Sequence, residues 1–252
     1  MIHCEISGAV ATATLSRPPL NAINEEWLSA LAGAVQAAEA LPTVAVLHLR
    51  SDRRTFSAGA DLALLRERFA SAAGRAAMVE FVRRMQQVFA QLERSRLVSV
   101  AELGGPALGG GFELALACDL RIAADEAKLG LPEAALGLLP AAGGTQRLTR
   151  LCGATTARRL ILGAEVLNGR QALELGLVQW SMPAAELPAR ARELVLHIAG
   201  LPAAALAATK RCIAAAAAPG DAGFNLELEE TARLYAVPDT QARVQKFLDQ
   251  RR

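Results

Sequence analysis

Charge of one predominant sign is missing from this chain. Its 27 Lys and Arg stand against 25 Asp and Glu, leaving +2 over 252 residues with no basic block. A nucleic-acid footprint is therefore not expected. Paired cysteines are missing too. Cys4, Cys118, Cys152 and Cys212 lie far apart, no CxxC occurs, and the three histidines do not cluster. That pattern argues against a zinc site and predicts reduced thiols packed as small hydrophobes. No uncharged apolar run reaches the ~18 residues a membrane span needs. The opening "MIHCEISGAV" lacks the basic-then-apolar order of a secretory leader. What is present is 52% hydrophobic residues, enough for a sizeable core. A soluble, cytoplasmic, globular protein is expected, and alanine runs such as "RCIAAAAAPG" read as helix-forming bias.

Periodicity divides the chain in two. "CEISGAVATATL" alternates around Gly8 and predicts a β-hairpin. Asn24 is placed to cap a helix running towards Ala40, with Leu28, Leu31 and Val35 on one face. Strands are predicted at Val44–Arg50, Leu97–Leu103 and Asp119–Asp125. A long helical region spans Leu62 to about Arg94, with a break expected near Gly74. Each main strand is followed by a loop rich in Gly or Ala. From Thr145 onward the chain reads as successive helices: "TQRLTRLCG", "TTARRLILG", "RQALELG", Ala184–Gly200, Pro202–Ala218, Phe224–Tyr235 and the amphipathic tail "TQARVQKFLDQRR". The change predicts a mixed α/β core over residues 1–185 and a helical region over 186–252.

Three local patterns carry chemistry. In "ALGGGFELALACDL" a strand ends in Gly109–Gly110–Gly111 and opens an apolar helix. Glycines there expose bare backbone N–H groups at the positive end of a helix dipole, a place that favours an anion. No Gly-Lys-Ser/Thr follows, so a P-loop is not indicated, and adjacent glycines do not make a dinucleotide fingerprint. Glu113 follows within the same turn. A first-turn acid can simply offset the dipole, but Leu114–Cys118 offers it no polar face. Desolvation there raises a carboxyl pKa and suits it to proton transfer near neutral pH. Twenty residues on, Glu133 in "LGLPEAALGLLP" is again an isolated acid among apolar residues, just after a proline; a plain helix start is its alternative reading. Third, "TFSAGADL" sets small residues and backbone amides after a strand, with Asp61 placed to cap the next helix; an ordinary strand-to-helix turn has the same composition. Ser57 has no His and Asp in a triad pattern, and His48 sits in an apolar strand with nothing to pair it with a nucleophile.

Together these pieces resemble the crotonase, or enoyl-CoA hydratase/isomerase, family. The resemblance begins at "SRPPLNAIN", continues through "TFSAGADL", and is strongest over "GPALGGGFELALACDLRIAADEAKLGLPEAALGLLPAAGGTQRLTR". It persists in "LNGRQALELGLV". It implies an α/β fold, a spiral of ββα units with a C-terminal helical trimerisation region, and assembly as trimer or hexamer. It implies an acyl-CoA substrate with no metal and no redox cofactor, coenzyme A being part of the substrate. Carried over by motif, the backbone N–H groups of Ala60 and Gly110 form the oxyanion hole for a thioester enolate. Glu113 activates the water that attacks Cβ and Glu133 donates the proton to Cα. Coenzyme A lies along Leu20, Ala22, Ala58, Ala60, Asp61, Leu62 and Gly110.

Both glutamates being present points to hydration of a trans-2-enoyl-CoA, a carbon–oxygen lyase reaction of the kind found in fatty-acid β-oxidation. Double-bond isomerisation, which needs only the acid at Glu133, is the alternative within the family. Non-catalytic RNA binding, known among relatives, fits the near-neutral charge poorly. The sequence departs from the family at "PAAGG", where Ala141 stands for a usual glycine, and in "VQKFLDQRR", where Lys246 reads as a solvated helix charge.

Overall fold

The computed structural model describes residues 1–216 and 220–249. The hairpin forms as the alternation predicts: β1 (Ile2–Ser7) pairs antiparallel with β2 (Val10–Leu15), turning at Gly8 with φ 58°. Asn24 caps α1 (Glu25–Glu39), its Oδ1 accepting from the Trp27 N–H at 2.8 Å. The buried face of α1 carries Trp27, Leu28, Leu31 and Val35, the helical spacing visible in the sequence. Then come β3 (Val46–Ser51), α2 (Leu62–Phe69), α3 (Ala72–Arg94) and β4 (Val98–Leu103).

The break expected near Gly74 is present, at Ala70–Ser71. Ser71 caps α3, its Oγ accepting from the Gly74 N–H. Gly74 serves a different purpose: a Cβ there would collide with the Arg68 carbonyl, so the glycine lets α3 start against the end of α2.

After β4 the chain makes β5 (Ala107–Leu108), α4 (Gly110–Ala117), β6 (Leu120–Ala124), β7 (Leu129–Gly130) and a 3-10 helix over Pro132–Leu136. Every residue of α4 is buried. Next are α5 (Gly144–Leu162), β8 (Val166–Leu167), α6 (Gly169–Glu174) and β9 (Trp180–Met182). α5 is two helical segments meeting at Gly153, whose φ of 77° breaks the helix where "TRLCG" ends.

Helices alone were expected after Thr145, and the structure corrects this. β9 joins the main sheet beside β6, and β8 joins β5 and β7 in a small second sheet. Strands of two or three residues are too short to show a period of two, which is why the sequence hid them.

The main sheet has the order β1-β2-β3-β4-β6-β9, parallel everywhere except the opening hairpin. α7 (Leu187–Ala199) lies against this sheet through Leu187, Ala191, Val195 and Ile198. α8 (Ala203–Ala215), α9 (Ala222–Tyr235) and α10 (Pro238–Asp249) follow. α8 and α9 pack together, and Arg211 grips the buried Glu230 with two hydrogen bonds of 3.0 and 2.7 Å. The last residues of the helix expected to reach Ala218, and the end of the C-terminal tail, lie outside the described residues. Lys246 is in the last turn of α10. All four cysteines are free thiols, but only Cys118 is packed in the core as expected; Cys152 and Cys212 are half-buried and Cys4, on the outer strand of the hairpin, is exposed.

Candidate active site

Each piece of the site sits just past the carboxyl end of a parallel strand. The loop after β3 carries Ser57–Ala58–Gly59–Ala60, the three glycines follow β5 and open α4, and Glu133 follows β7. The first two touch. A Cβ on Gly59 would lie 2.9 Å from the Gly110 nitrogen, and one on Gly110 would lie 3.5 Å from the Ala60 nitrogen. Gly59 has φ 89° and Gly109 φ 54°, conformations that side chains rarely adopt, so glycine is required on both counts. The Ala60 and Gly110 N–H groups donate to no other group among the described residues. They are two adjacent unspent donors, and the Gly110 amide also opens α4, at the positive end of its dipole.

Glu113, in the first turn of α4, is 3% exposed. Burial is the main cause that pushes its carboxyl pKa up to about 7, and repulsion from Glu133 adds to the rise. Opposing these are hydrogen bonds from the Gly144 and Ala142 amides and the charge of Arg147. The Gly144 N–H donates to Glu113 Oε1 at 2.7 Å. Glu133, the second residue of the 3-10 helix, is also raised by burial. Its Oε1 lies 3.1 Å from where a Cβ on Gly109 would sit, next to the amide pair. Its Oε2 is buried and has no hydrogen-bond partner among the described residues. A buried acceptor left unmatched is costly unless something else is meant to meet it. The two acids anticipated from sequence are therefore brought together, at two unspent amides.

Leu20, Ala58 and Leu62 form an exposed strip beside Ala60, with Ala22 and Asp61 half-buried alongside. Ala58 N–H donates to Leu20 O at 3.0 Å, and Asp61 N–H to Ile23 O at 3.0 Å. Asp61 caps α2, as expected, through the Ala63 N–H. The hydrogen bond from Arg17 is the chief cause holding its carboxyl below the usual range. Ser57 is buried and donates to Asn21 O at 2.8 Å, a structural bond. His48, too, is a core residue, 2.9 Å from the buried Glu102.

Nothing in the residue pattern singles out Asn21. It is fully buried with φ 51°, and its Nδ2 donates to the carbonyls of Thr55 and Phe56 at 3.1 and 3.0 Å. It thereby ties the "LNA" segment to the chain that enters the Ser57–Ala60 loop. Met85 of α3, whose methyl lies 2.9 Å from a Cβ placed on Gly110, closes the site from the other side. Only their flanking motifs offered any signal.

A sequence profile of the enoyl-CoA hydratase/isomerase family matches residues 5–252. The chain belongs to that family. A probable enoyl-CoA hydratase of Bacillus subtilis is 34% identical over 253 residues, covering 100% of this chain and 96% of the relative. A crotonyl-CoA hydratase of Syntrophomonas wolfei is 34% identical, over 96% of this chain and 93% of the relative. The crystal structure of an enoyl-CoA hydratase from Bacillus anthracis superposes with a TM-score of 0.92 at 30% identity, covering 99% of this chain and 96% of that one. The mixed α/β architecture with a helical C-terminal region is thus the crotonase fold, and the chain is an enzyme of this family's acyl-CoA chemistry.

Proposed function

We propose that this enzyme adds water across the double bond of a trans-2-enoyl-CoA to give the 3-hydroxyacyl-CoA. The observation that carries the reading is the meeting of the buried Glu113, with a pKa near 7, and the half-buried Glu133, one of whose oxygens is buried without a partner, at a pair of unspent amides. The thioester oxygen accepts from the Ala60 and Gly110 N–H groups, which stabilise the enolate as its charge develops; each donor of this kind is worth about 3–4 kcal/mol. Glu113, ionised, takes a proton from water as the water oxygen bonds to Cβ. Glu133, protonated, gives its proton to Cα. Proton exchange between the two acids restores the starting state, so water is consumed and nothing else is needed. Coenzyme A lies along Leu20, Ala22, Ala58, Asp61 and Leu62. Self-association as a trimer or hexamer is supported by Ile213, Phe224, Leu228 and Tyr235 of α8 and α9, all at least 70% exposed.

The family name also covers isomerases, which shift a double bond through one acid. A direct test offers the enzyme crotonyl-CoA and a β,γ-enoyl-CoA in ¹⁸O-labelled water. The expected result is loss of conjugated-thioester absorbance with crotonyl-CoA and one labelled hydroxyl in the product. Conversion of the β,γ substrate to the α,β isomer, with crotonyl-CoA left unhydrated, would overturn the reading.

A further inference from the structure

Glu113 is held by the segment from Pro140 to Gly144, whose Gly144 amide donates to its Oε1 at 2.7 Å and whose Ala142 amide also favours the ionised carboxylate. That segment is a turn leading into α5, with Gly143 at φ 107°. Its rigidity has to come from side chains, and two supply it. Gln86 of α3 donates through Nε2 to Ala141 O at 2.6 Å. Arg147, in the first turn of α5, donates through Nη1 to Ala142 O at 3.0 Å. The other edge of the same guanidinium reaches α3, with Nε and Nη2 at 3.2 and 3.0 Å from Glu93 Oε2. Successive carbonyls of the turn, those of Ala141 and Ala142, are thereby tied to α3, two residues ahead of the Gly144 amide that meets Glu113. Gly143 is part of the fit, because a Cβ there would collide with the Arg147 guanidinium. The Arg147 side chain is 10% exposed, so the fork works largely out of water.

We propose that Arg147, anchored on Glu93, is a positioning residue for Glu113: it fixes the turn whose amides orient the water-activating carboxylate, with Gln86 as a second tie. The proposal rests on the hydratase reading, which gives Glu113 its role. The charged groups facing Glu113 are Glu133, which favours its neutral form, and Arg147, which favours its ionised form. Arg147 in turn faces Glu113, Glu93 and the titratable thiol of the buried Cys118, which burial pushes up to about 12.

A residue that merely stitched α5 to α3 would change unfolding temperature and leave the pH profile alone. The experiment therefore measures kcat and KM for crotonyl-CoA against pH in Arg147→Gln, Arg147→Lys and Gln86→Ala, with a melting curve for each. Arg147→Gln is expected to lower kcat about tenfold, since a 1 Å misplacement near the chemistry can cost ~10². KM should stay within about twofold, and the acidic limb should move to higher pH, because the cation that favours ionised Glu113 is gone. Arg147→Lys keeps the charge but not the fork, so its limb should stay in place while kcat falls. Gln86→Ala should show a smaller fall in kcat with an unshifted limb. A wild-type limb and kcat in folded Arg147→Gln overturns the proposal, as does a change confined to KM. Should Arg147→Gln fail to fold, Arg147→Lys and Gln86→Ala decide the matter, and a wild-type kcat in both overturns the proposal. The infrared carboxyl titration of Glu113, isolated by difference against Glu113→Gln, needs no turnover. An upward shift in Arg147→Gln together with an inactive wild type would refute the hydratase reading while leaving the coupling standing; no shift would refute the coupling itself.

Discussion

Replacing Glu113 with Gln should stabilise the protein at pH 8 while removing its activity. In the folded state burial carries the carboxyl from its ordinary 4.5 up to about 7. The native state therefore holds a proton that the unfolded chain has already released between those two values. Where the folded state binds more protons, stability falls as pH rises. The loss begins near pH 4.5 and is complete above about 7. At about 1.4 kcal/mol per pKa unit it amounts to about 3 kcal/mol, roughly 2 kcal/mol of it between pH 5 and pH 8. Gln cannot ionise, and its carbonyl still accepts from the Gly144 N–H, so the variant escapes the pH-dependent part.

The measurement compares urea unfolding of wild type and Glu113→Gln at pH 5 and pH 8. Fixed costs of the substitution, such as an amide facing the Ala142 N–H, are common to both pH values and cancel in the difference. The variant should gain about 2 kcal/mol relative to wild type on going to pH 8, or about 4–8 °C if read as melting temperature in a domain of this size. Its rate of crotonyl-CoA hydration should fall about 10²–10⁴-fold, the usual contribution of a positioned general base. Equal stability differences at the two pH values would show that Glu113 titrates as an ordinary carboxyl, and would remove the ground for its role as a base near pH 7.

Other perturbations probe neighbouring parts. In wild type, kcat/KM for hydration should climb as pH rises through about 7, because the base must be ionised; a flat profile from pH 6 to 8 would refute the assignment. Gly59→Ala places a methyl 2.9 Å from the Gly110 nitrogen at a backbone φ of 89°, so it should separate the amide pair. The expected loss is about 10²–10³ in kcat, the effect of one lost oxyanion donor, checked by steady-state kinetics. Asn21→Ala leaves the buried carbonyl of Phe56 without its donor, at about 1–3 kcal/mol for such a group, whereas the Thr55 carbonyl keeps the Ser51 hydroxyl at 2.8 Å. Chemical denaturation should show a loss of about 1–3 kcal/mol, with kcat reduced as the Ser57–Ala60 loop loosens.

The legible parts of this protein were those where one residue type has one physical use. Three adjacent glycines announce a backbone that something must approach, and Glu113 and Glu133 stand out because nothing polar surrounds them in sequence. Asn21, Gln86 and Arg147 were illegible for the opposite reason. Each acts on the site through a main-chain carbonyl, which every residue has, so a polar residue bonded to one looks like a polar residue bonded to water. Gly74 marked the break before α3 to within a few residues but not its cause: Ser71 supplied the cap and the glycine supplied clearance.

Why the separated motifs meet follows from the order of strands. β3, β4 and β6 are consecutive neighbours and parallel, so the chain leaves all three at the same end of the sheet. Neighbouring strands stand about 4.8 Å apart, so segments distant in sequence emerge within reach of each other. Ala60, Gly110 and Glu133 each follow a different one of those strands, and the helix that opens at Gly110 carries Glu113 in its first turn. A parallel sheet wound in one direction thus converts the repeated pattern of strand, then Gly- or Ala-rich loop, into one site. The pattern was visible in the sequence; the adjacency came only with the pairing of strands that themselves carry no catalytic residue.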